Sequence, residues 1–160
     1  MAFDGPSPFD GDPVFNYLER VSGQPPEALQ RNLGAAFQAV IEGGAANQLP
    51  PEMASMLGMD PSSLPAVYID VDEGVWAWAC AEMVALALGH ALETPMPEPF
   101  ITAARTLPEP TKLIADAIDA IDRLGDPKTS EIADLLSGAR ADDFRGRIAG
   151  LRRHLEQGAV

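Results

Sequence analysis

Two short acidic stretches carry the side chains of this sequence that are best suited to hold a cation. The stretch PFDGDP contains Asp10 and Asp12, and the stretch YIDVDEG contains Asp70, Asp72 and Glu73. Closely spaced carboxylates supply the oxygen ligands that calcium and magnesium prefer, but neither stretch has the ordered ligand series of an EF-hand loop. The favoured alternative is that Asp12 and Asp72 cap helices. We therefore predict no metal site.

A single carboxylate, Glu82, lies near the middle of the apolar run VWAWACAEMVALALGHAL at positions 75–92. An isolated charge is very costly to bury, so this side chain must be paired, protonated or close to a helix end. Two interpretations remain open. Either Glu82 has a structural partner, such as Arg105 or backbone N–H groups, or it is a functional acid in a pocket between helices.

Other groups that catalysis would need are scarce. His90 and His154 are 64 positions apart, and each is placed as a cation that complements a helix C-terminus. Cys80 is the single cysteine, which excludes a disulfide framework and a zinc-binding cysteine pair and suits a reducing cytoplasm. The sequence has no nucleophile elbow, P-loop, dinucleotide-binding glycine motif or HExxH motif. We predict no catalytic residues and no cofactor, and a binding protein is favoured over an enzyme.

The charge is strongly negative and unevenly distributed. The chain has 24 acidic and 11 basic residues, a formal net charge of −13. Residues 1–104 contain 14 acidic residues but only Arg20 and Arg31 as bases, whereas residues 105–160 contain 10 acidic and 9 basic residues. Nucleic acid is excluded as a ligand, because its binding depends on Lys and Arg displacing counterions from phosphates. The negative charge serves solubility, or it steers a basic partner to the surface.

The apolar run at positions 75–92 is long enough to compare with a membrane span of about 20 residues. It is rich in alanine, contains Glu82, and is preceded by acidic rather than basic residues. We therefore predict a buried central helix and no membrane insertion. The N-terminus has Asp4 and Asp10 where a secretory signal needs basic residues, which favours a cytoplasmic location.

Proline and apolar spacing predict helices along most of the chain. Asp12–Pro13 and Asp126–Pro127 each place a capping acid before a proline, an arrangement typical of a helix start. Apolar residues recur at helical spacing over positions 29–41, 113–124 and 144–155, and a short helix is predicted near 129–137. Only AVYIDV, at positions 66–71, resembles a strand. The sequence predicts a single all-α domain over residues 1–160, with about six to eight helices around the alanine-rich central helix.

Three segments resemble one bacterial family. Gly5, Pro8, Phe9, Asp10 and Asp12 resemble the N-terminal signature Gly-x-Gly-Pro-Phe-Asp-x-Asp of the family known as domain of unknown function 4259. The segments ACAEMVALALG at 79–89 and SEIADLL at 130–136 are similar to two further family segments, in the same order. The resemblance implies a small, mostly helical bacterial protein, and it implies no activity.

Two functions are consistent with these features. The first is a protein-binding module, in the manner of an acidic immunity protein or antitoxin, whose partner is basic and contacts Asp10, Asp70, Asp72 and Glu73. The alternative is a small-ligand binder or an enzyme with a pocket around Glu82. A hydrophobic fraction of 46% would also furnish a homodimer interface.

Overall fold

A computed structural model describes residues 7–10, 12–42, 51–58, 60, 69–91 and 94–160. The secondary structure of the described residues is all-α, as predicted. Besides helices and the turns between them, it has one isolated parallel bridge between Ile69 and Ser130. Two 3₁₀ helices span Pro8–Asp10 and Pro110–Leu113. The α-helices in the described residues are α1 Asp12–Ser22, α2 Pro26–Glu42, α3 Pro51–Met56, α4 Val71–Ala87, α5 Glu98–Ala104, α6 Ile114–Leu124, α7 Glu131–Leu135 and α8 Gly138–Gln157.

Helix α4 is the centre of the fold, as the apolar run predicted. Its side chains from Val75 to Ala85 are buried except for the partly exposed Trp76. It packs against α1, α2, α5, α6, α7 and α8, and alanines along it let these neighbours approach closely. The described buried apolar side chains form one hydrophobic cluster around it. In the part of the chain that the structure describes, no helix is long and apolar enough to cross a membrane.

Gly74, in the first turn of α4, sits where three elements meet. A Cβ atom built at this position would lie 2.8 Å from Cδ1 of Leu124 and 3.1 Å from Cδ1 of Ile132. These side chains belong to α6 and α7, respectively. A side chain at position 74 would therefore force the ends of these two buried side chains, or the start of α4 itself, to shift.

Proline marks several helix starts, although one prediction of this kind was wrong. Helices α2 and α3 begin at Pro26 and Pro51. Asp126–Pro127 instead begins a turn, in which Oδ1 of Asp126 accepts a hydrogen bond from the backbone N–H of Lys128 at 2.9 Å. Aspartate forms such a turn with its own downstream backbone as readily as it caps a helix. The helix that follows begins only at Glu131.

Candidate functional site

The predicted acidic cluster lies at the N-terminus of α4, where its first member has a structural role. Asp70 is the N-cap, and its Oδ1 accepts a hydrogen bond from the backbone N–H of Glu73 at 2.8 Å. Glu131, from α7, adds a second cap, since its Oε2 accepts from the N–H of Val71 at 2.9 Å. Our prediction that Asp72 caps this helix was wrong, because the helix begins two residues earlier than that prediction required.

The bridge between residues 69 and 130 holds the N-terminus of α4 beside that of α7. The N–H of Ile69 donates to the carbonyl of Thr129 at 2.7 Å, and the N–H of Glu131 donates to the carbonyl of Ile69 at 2.9 Å. Ser130 caps α7 by accepting from the N–H of Ala133 at 3.4 Å. The predicted strand at 66–71 is thus a single bridging residue where the structure describes it, and residues 66–68 lie outside the described part.

Asp72 and Glu73 occupy the first turn of α4, where a carboxylate complements the helix dipole. Both are partly buried. Oδ1 of Asp72 is buried and accepts no hydrogen bond among the described residues. Burial raises the pKa of Glu73, and the neighbouring charge of Asp70 raises it further. The charge of Asp70 therefore acts on its neighbour Glu73, and Asp70 itself is committed to the helix cap.

Asp10 ends the 3₁₀ helix Pro8–Asp10, which packs against α4. Its side chain lies outside what the structure describes. The preceding Phe9 is buried and stacks on Phe100, with ring centroids 6.2 Å apart. Just before this helix, Ser7 accepts a hydrogen bond from the N–H of Phe9 at 3.1 Å through its Oγ. Residues 7–10 thus fix the start of the described chain against the core.

Glu82 is 7% exposed and engages in an interaction within the chain. Two open cavities are bounded by described residues. One, of about 340 Å³, is lined by Leu86, Gly89, His90, Ala91 and Arg105. The other, of about 330 Å³, is lined by Asp142, Asp143, Gly146 and Arg147. Glu82 lines neither of these two cavities.

The structure brings together the two histidines that sequence reasoning treated separately. The rings of His90 and His154 stack with centroids 4.7 Å apart and planes 11° apart. Nε2 of His90 lies 2.7 Å from the carbonyl oxygen of Gly158. Because a carbonyl oxygen only accepts, Nε2 carries the proton and donates it. Both histidines lie at or just beyond a helix C-terminus, as predicted.

This histidine pair does not assemble a metal centre with a third ligand. Among the residues that the structure describes, no group of three or more His, Cys, Asp or Glu side chains is placed to hold a metal ion. His90 and Arg105 follow the C-terminal ends of α4 and α5. The carbonyl ends of these helices favour cations, so the two side chains have a structural reason for their positions.

Cys80 is fully buried and unsuited to act as a nucleophile. Burial raises the pKa of its thiol to about 12, although the hydrogen bond with Tyr17 opposes the rise. Tyr17 also donates its hydroxyl proton to the carbonyl of Asn32 at 3.3 Å and stacks on Trp76, with centroids 5.1 Å apart. The guanidinium carbon of Arg20 lies 5.7 Å from the centre of the Tyr17 ring. Tyr17 thus joins α1 to α4 through Trp76 and Cys80, and to α2 through Asn32.

The ion pairs among the described residues of 105–160 join side chains of that same segment. Five basic side chains of residues 105–160 pair with acids of the same segment: Lys112 with Glu109, Arg123 with Asp119, Arg145 with Asp142, Arg147 with Asp143, and Arg152 with Asp122 and Glu156. These five cations are therefore engaged within their own segment. The exposed acids of residues 1–104 that the structure describes are Glu19, Glu27, Glu42, Glu52, Asp60 and Glu98.

A cluster of exposed apolar side chains lies in the same acidic part of the chain, on and just after α3. Met53 is 50% exposed, Met56 85% and Leu57 66%. Sequence reasoning did not single these residues out. The spacing i, i+3, i+4 was visible in MASML, but it is equally typical of a face that packs against the core.

Comparison with known proteins adds no relative from which an activity could be transferred. No family model, no curated protein and no solved structure matches this chain. The resemblance to domain of unknown function 4259 therefore stays a prediction that rests on its three motifs.

Proposed function

We propose that this chain is a protein-binding module whose acidic surface recruits a basic protein. The observation that carries the proposal is the separation of charge between the two parts of the chain. Residues 1–104 contain 14 acidic residues against Arg20 and Arg31. The five paired cations of residues 105–160 are engaged by acids of their own segment. The first part of the chain therefore keeps a large excess of negative charge that can attract a partner.

Electrostatics of this kind act mainly on association. A field of one sign raises the rate of encounter with an oppositely charged protein by about 10- to 1,000-fold, and salt suppresses the effect. The exposed acids lie on α1, α2, α3 and α5 and just after α3, so the charge is spread over a broad surface rather than one pocket. A broad acidic surface suits a folded or extended basic protein better than it suits a small ligand.

The acidic cluster at the start of α4 contributes to this surface in a restricted way. Asp70 holds the helix cap, and Asp72 and Glu73 are only partly buried in the first turn, so we propose that these carboxylates add to the negative field that attracts the partner. By analogy with acidic immunity proteins and antitoxins, the negative charge of this chain would suit the covering of a basic toxin. A reducing cytoplasm, in which the buried thiol of Cys80 stays reduced, is the location we propose.

The test is affinity capture of proteins from a native cell lysate on the immobilised chain at low ionic strength. The bound proteins are eluted stepwise with salt and identified by mass spectrometry. The retained proteins are expected to be basic and to elute as salt rises through the physiological range, because the Debye length is then about 8 Å. Capture of proteins of average charge, or elution that does not depend on salt, would contradict the proposal. A heat-denatured sample of the same chain is the matched control, since it retains the composition but loses the surface.

A further inference from the structure

Three exposed apolar side chains form one face on and immediately after α3. Met53, Met56 and Leu57 are spaced i, i+3, i+4, which places them side by side on a helical turn. We call these three residues the α3 patch. Among the residues that the structure describes, the other large apolar side chains this exposed are Leu135 and Val160, at two separate positions. Exposure of large apolar side chains is thus concentrated in the α3 patch.

Among the residues that the structure describes, α3 shares no extensive contact with another helix. The three large apolar side chains of the α3 patch are exposed rather than part of the hydrophobic core. Contiguous apolar surface with a polar surround marks an interaction site. Methionine suits such a site, because its unbranched and polarizable side chain adapts to different partner shapes.

Charge complementarity specifies the occupant. Glu52 directly precedes the α3 patch and Asp60 follows it, and both are exposed. The surrounding sequence contains no base between Arg31 and Arg105. A second copy of the chain would bring like charges together across the patch, and each copy has a net charge of −13. The fitting occupant has apolar side chains flanked by Lys and Arg.

We propose that the α3 patch is the apolar anchor for a basic amphipathic segment of the partner, with its apolar face on Met53, Met56 and Leu57 and its basic residues near Glu52 and Asp60. This inference rests on the proposed function, because it names the class of segment that the acidic surface recruits. The acids provide attraction at a distance and the patch provides contact, as an amphipathic helix lies on an apolar surface.

The test uses two fluorescent peptides with the same leucine and lysine composition. In one the leucines form a single helical face, and in the other they are distributed around the helix. Binding is measured by anisotropy to the unmodified chain, to a triple variant with Met53→Gln, Met56→Gln and Leu57→Gln, and to the control Leu135→Gln. Glutamine keeps helix propensity while removing the apolar surface. Circular dichroism confirms that the variants remain folded.

We expect the unmodified chain and the Leu135→Gln control to bind the amphipathic peptide about tenfold more tightly than the distributed one. The triple variant should bind both peptides equally. Equal, salt-dependent binding of both peptides to the unmodified chain would overturn the role of the α3 patch and leave the acidic surface intact. Absence of binding to either peptide would overturn the proposed function as well. If the unmodified chain forms a concentration-dependent dimer and the triple variant does not, the occupant of the α3 patch is a second copy of the chain rather than a segment of a partner.

Discussion

His90 and His154, 64 positions apart in the sequence, stack face to face with ring centroids 4.7 Å apart. The stack joins the C-terminal end of α4 to the last turn of α8. His90 also helps to position residues 158–160, because its Nε2 donates to the carbonyl of Gly158. A second hydrogen bond holds the same segment, from the N–H of Val160 to the carbonyl of Leu88 at 2.9 Å. One buried imidazole therefore connects three parts of the chain.

Replacing His90 with alanine should loosen residues 158–160. The variant loses the stack and the hydrogen bond to Gly158, a cost of about 1–2 kcal/mol in the free energy of unfolding. The amide proton of Val160 should exchange with solvent faster than in the unmodified chain, as measured by NMR. His154→Phe is the control, because it keeps an aromatic ring over His90. Unchanged exchange at Val160 in His90→Ala would show that the histidine does not position this segment.

Two glycine substitutions should have opposite effects on stability. Gly74→Ala places a Cβ 2.8 Å from Leu124 and should reduce the free energy of unfolding by about 1–3 kcal/mol. Gly146→Ala is the matched control, since Gly146 lies within α8 and a Cβ atom added there would have no neighbouring atom within 4 Å. It should stabilise the chain by about 0.5–1 kcal/mol through helix propensity. Urea unfolding measures both changes, and equal effects at the two positions would contradict the close packing at Gly74.

The cap of α4 can be assigned by comparing neighbouring aspartates. Asp70→Ala removes the acceptor for the N–H of Glu73 and should cost about 1 kcal/mol of stability. Asp72→Ala leaves that hydrogen bond in place and should cost less, through the helix dipole alone. Thermal unfolding of the two variants at neutral pH compares them directly. A larger loss for Asp72→Ala would restore the assignment that the sequence suggested.

Because the thiol of Cys80 is buried, the folded chain should lose stability in alkali. The folded-state pKa of Cys80, about 12, lies above its ordinary value of about 9. The stability that comes from burying the neutral thiol is therefore fully present below about pH 9. As the pH rises toward 12, the free energy of unfolding should fall by about 1 kcal/mol per pH unit. Burial also raises the pKa of Tyr17, which acts in the same direction.

The measurement is the free energy of unfolding by urea between about pH 8 and pH 11, in the unmodified chain and in Cys80→Ala. The variant is expected to be less stable at neutral pH because of the cavity that it creates, but its stability should fall less steeply above about pH 9. Identical slopes would contradict the burial of a neutral thiol. Reaction with a thiol reagent at neutral pH should also require unfolding.

Local sequence signals predicted most of the fold but not the contacts between distant residues. The apolar run at 75–92 predicted the buried helix α4, because a helix that is apolar on every side has no face to present to water. Asp70 and Asp72 both have the chemistry of a cap, and only the register set by the bridge from Ile69 to Ser130 decides between them. The pairing of His90 with His154 depends on how α4 and α8 pack, which no local pattern encodes.

The proposed function requires that the acids of residues 1–104, rather than net charge alone, recruit the basic partner. Two variants each replace four exposed carboxylates by amides and so have the same net charge. The first changes Glu19, Glu27, Glu42 and Glu98, and the second changes Glu109, Asp142, Asp143 and Glu156, which are in ion pairs.

The decisive measurement is the association rate constant of each variant with the captured basic partner at low salt, by surface plasmon resonance. The first variant should associate about tenfold more slowly than the unmodified chain, whereas the second should stay within about twofold of it. Equal slowing in the two variants would contradict the claim, because it would mean that only total charge matters.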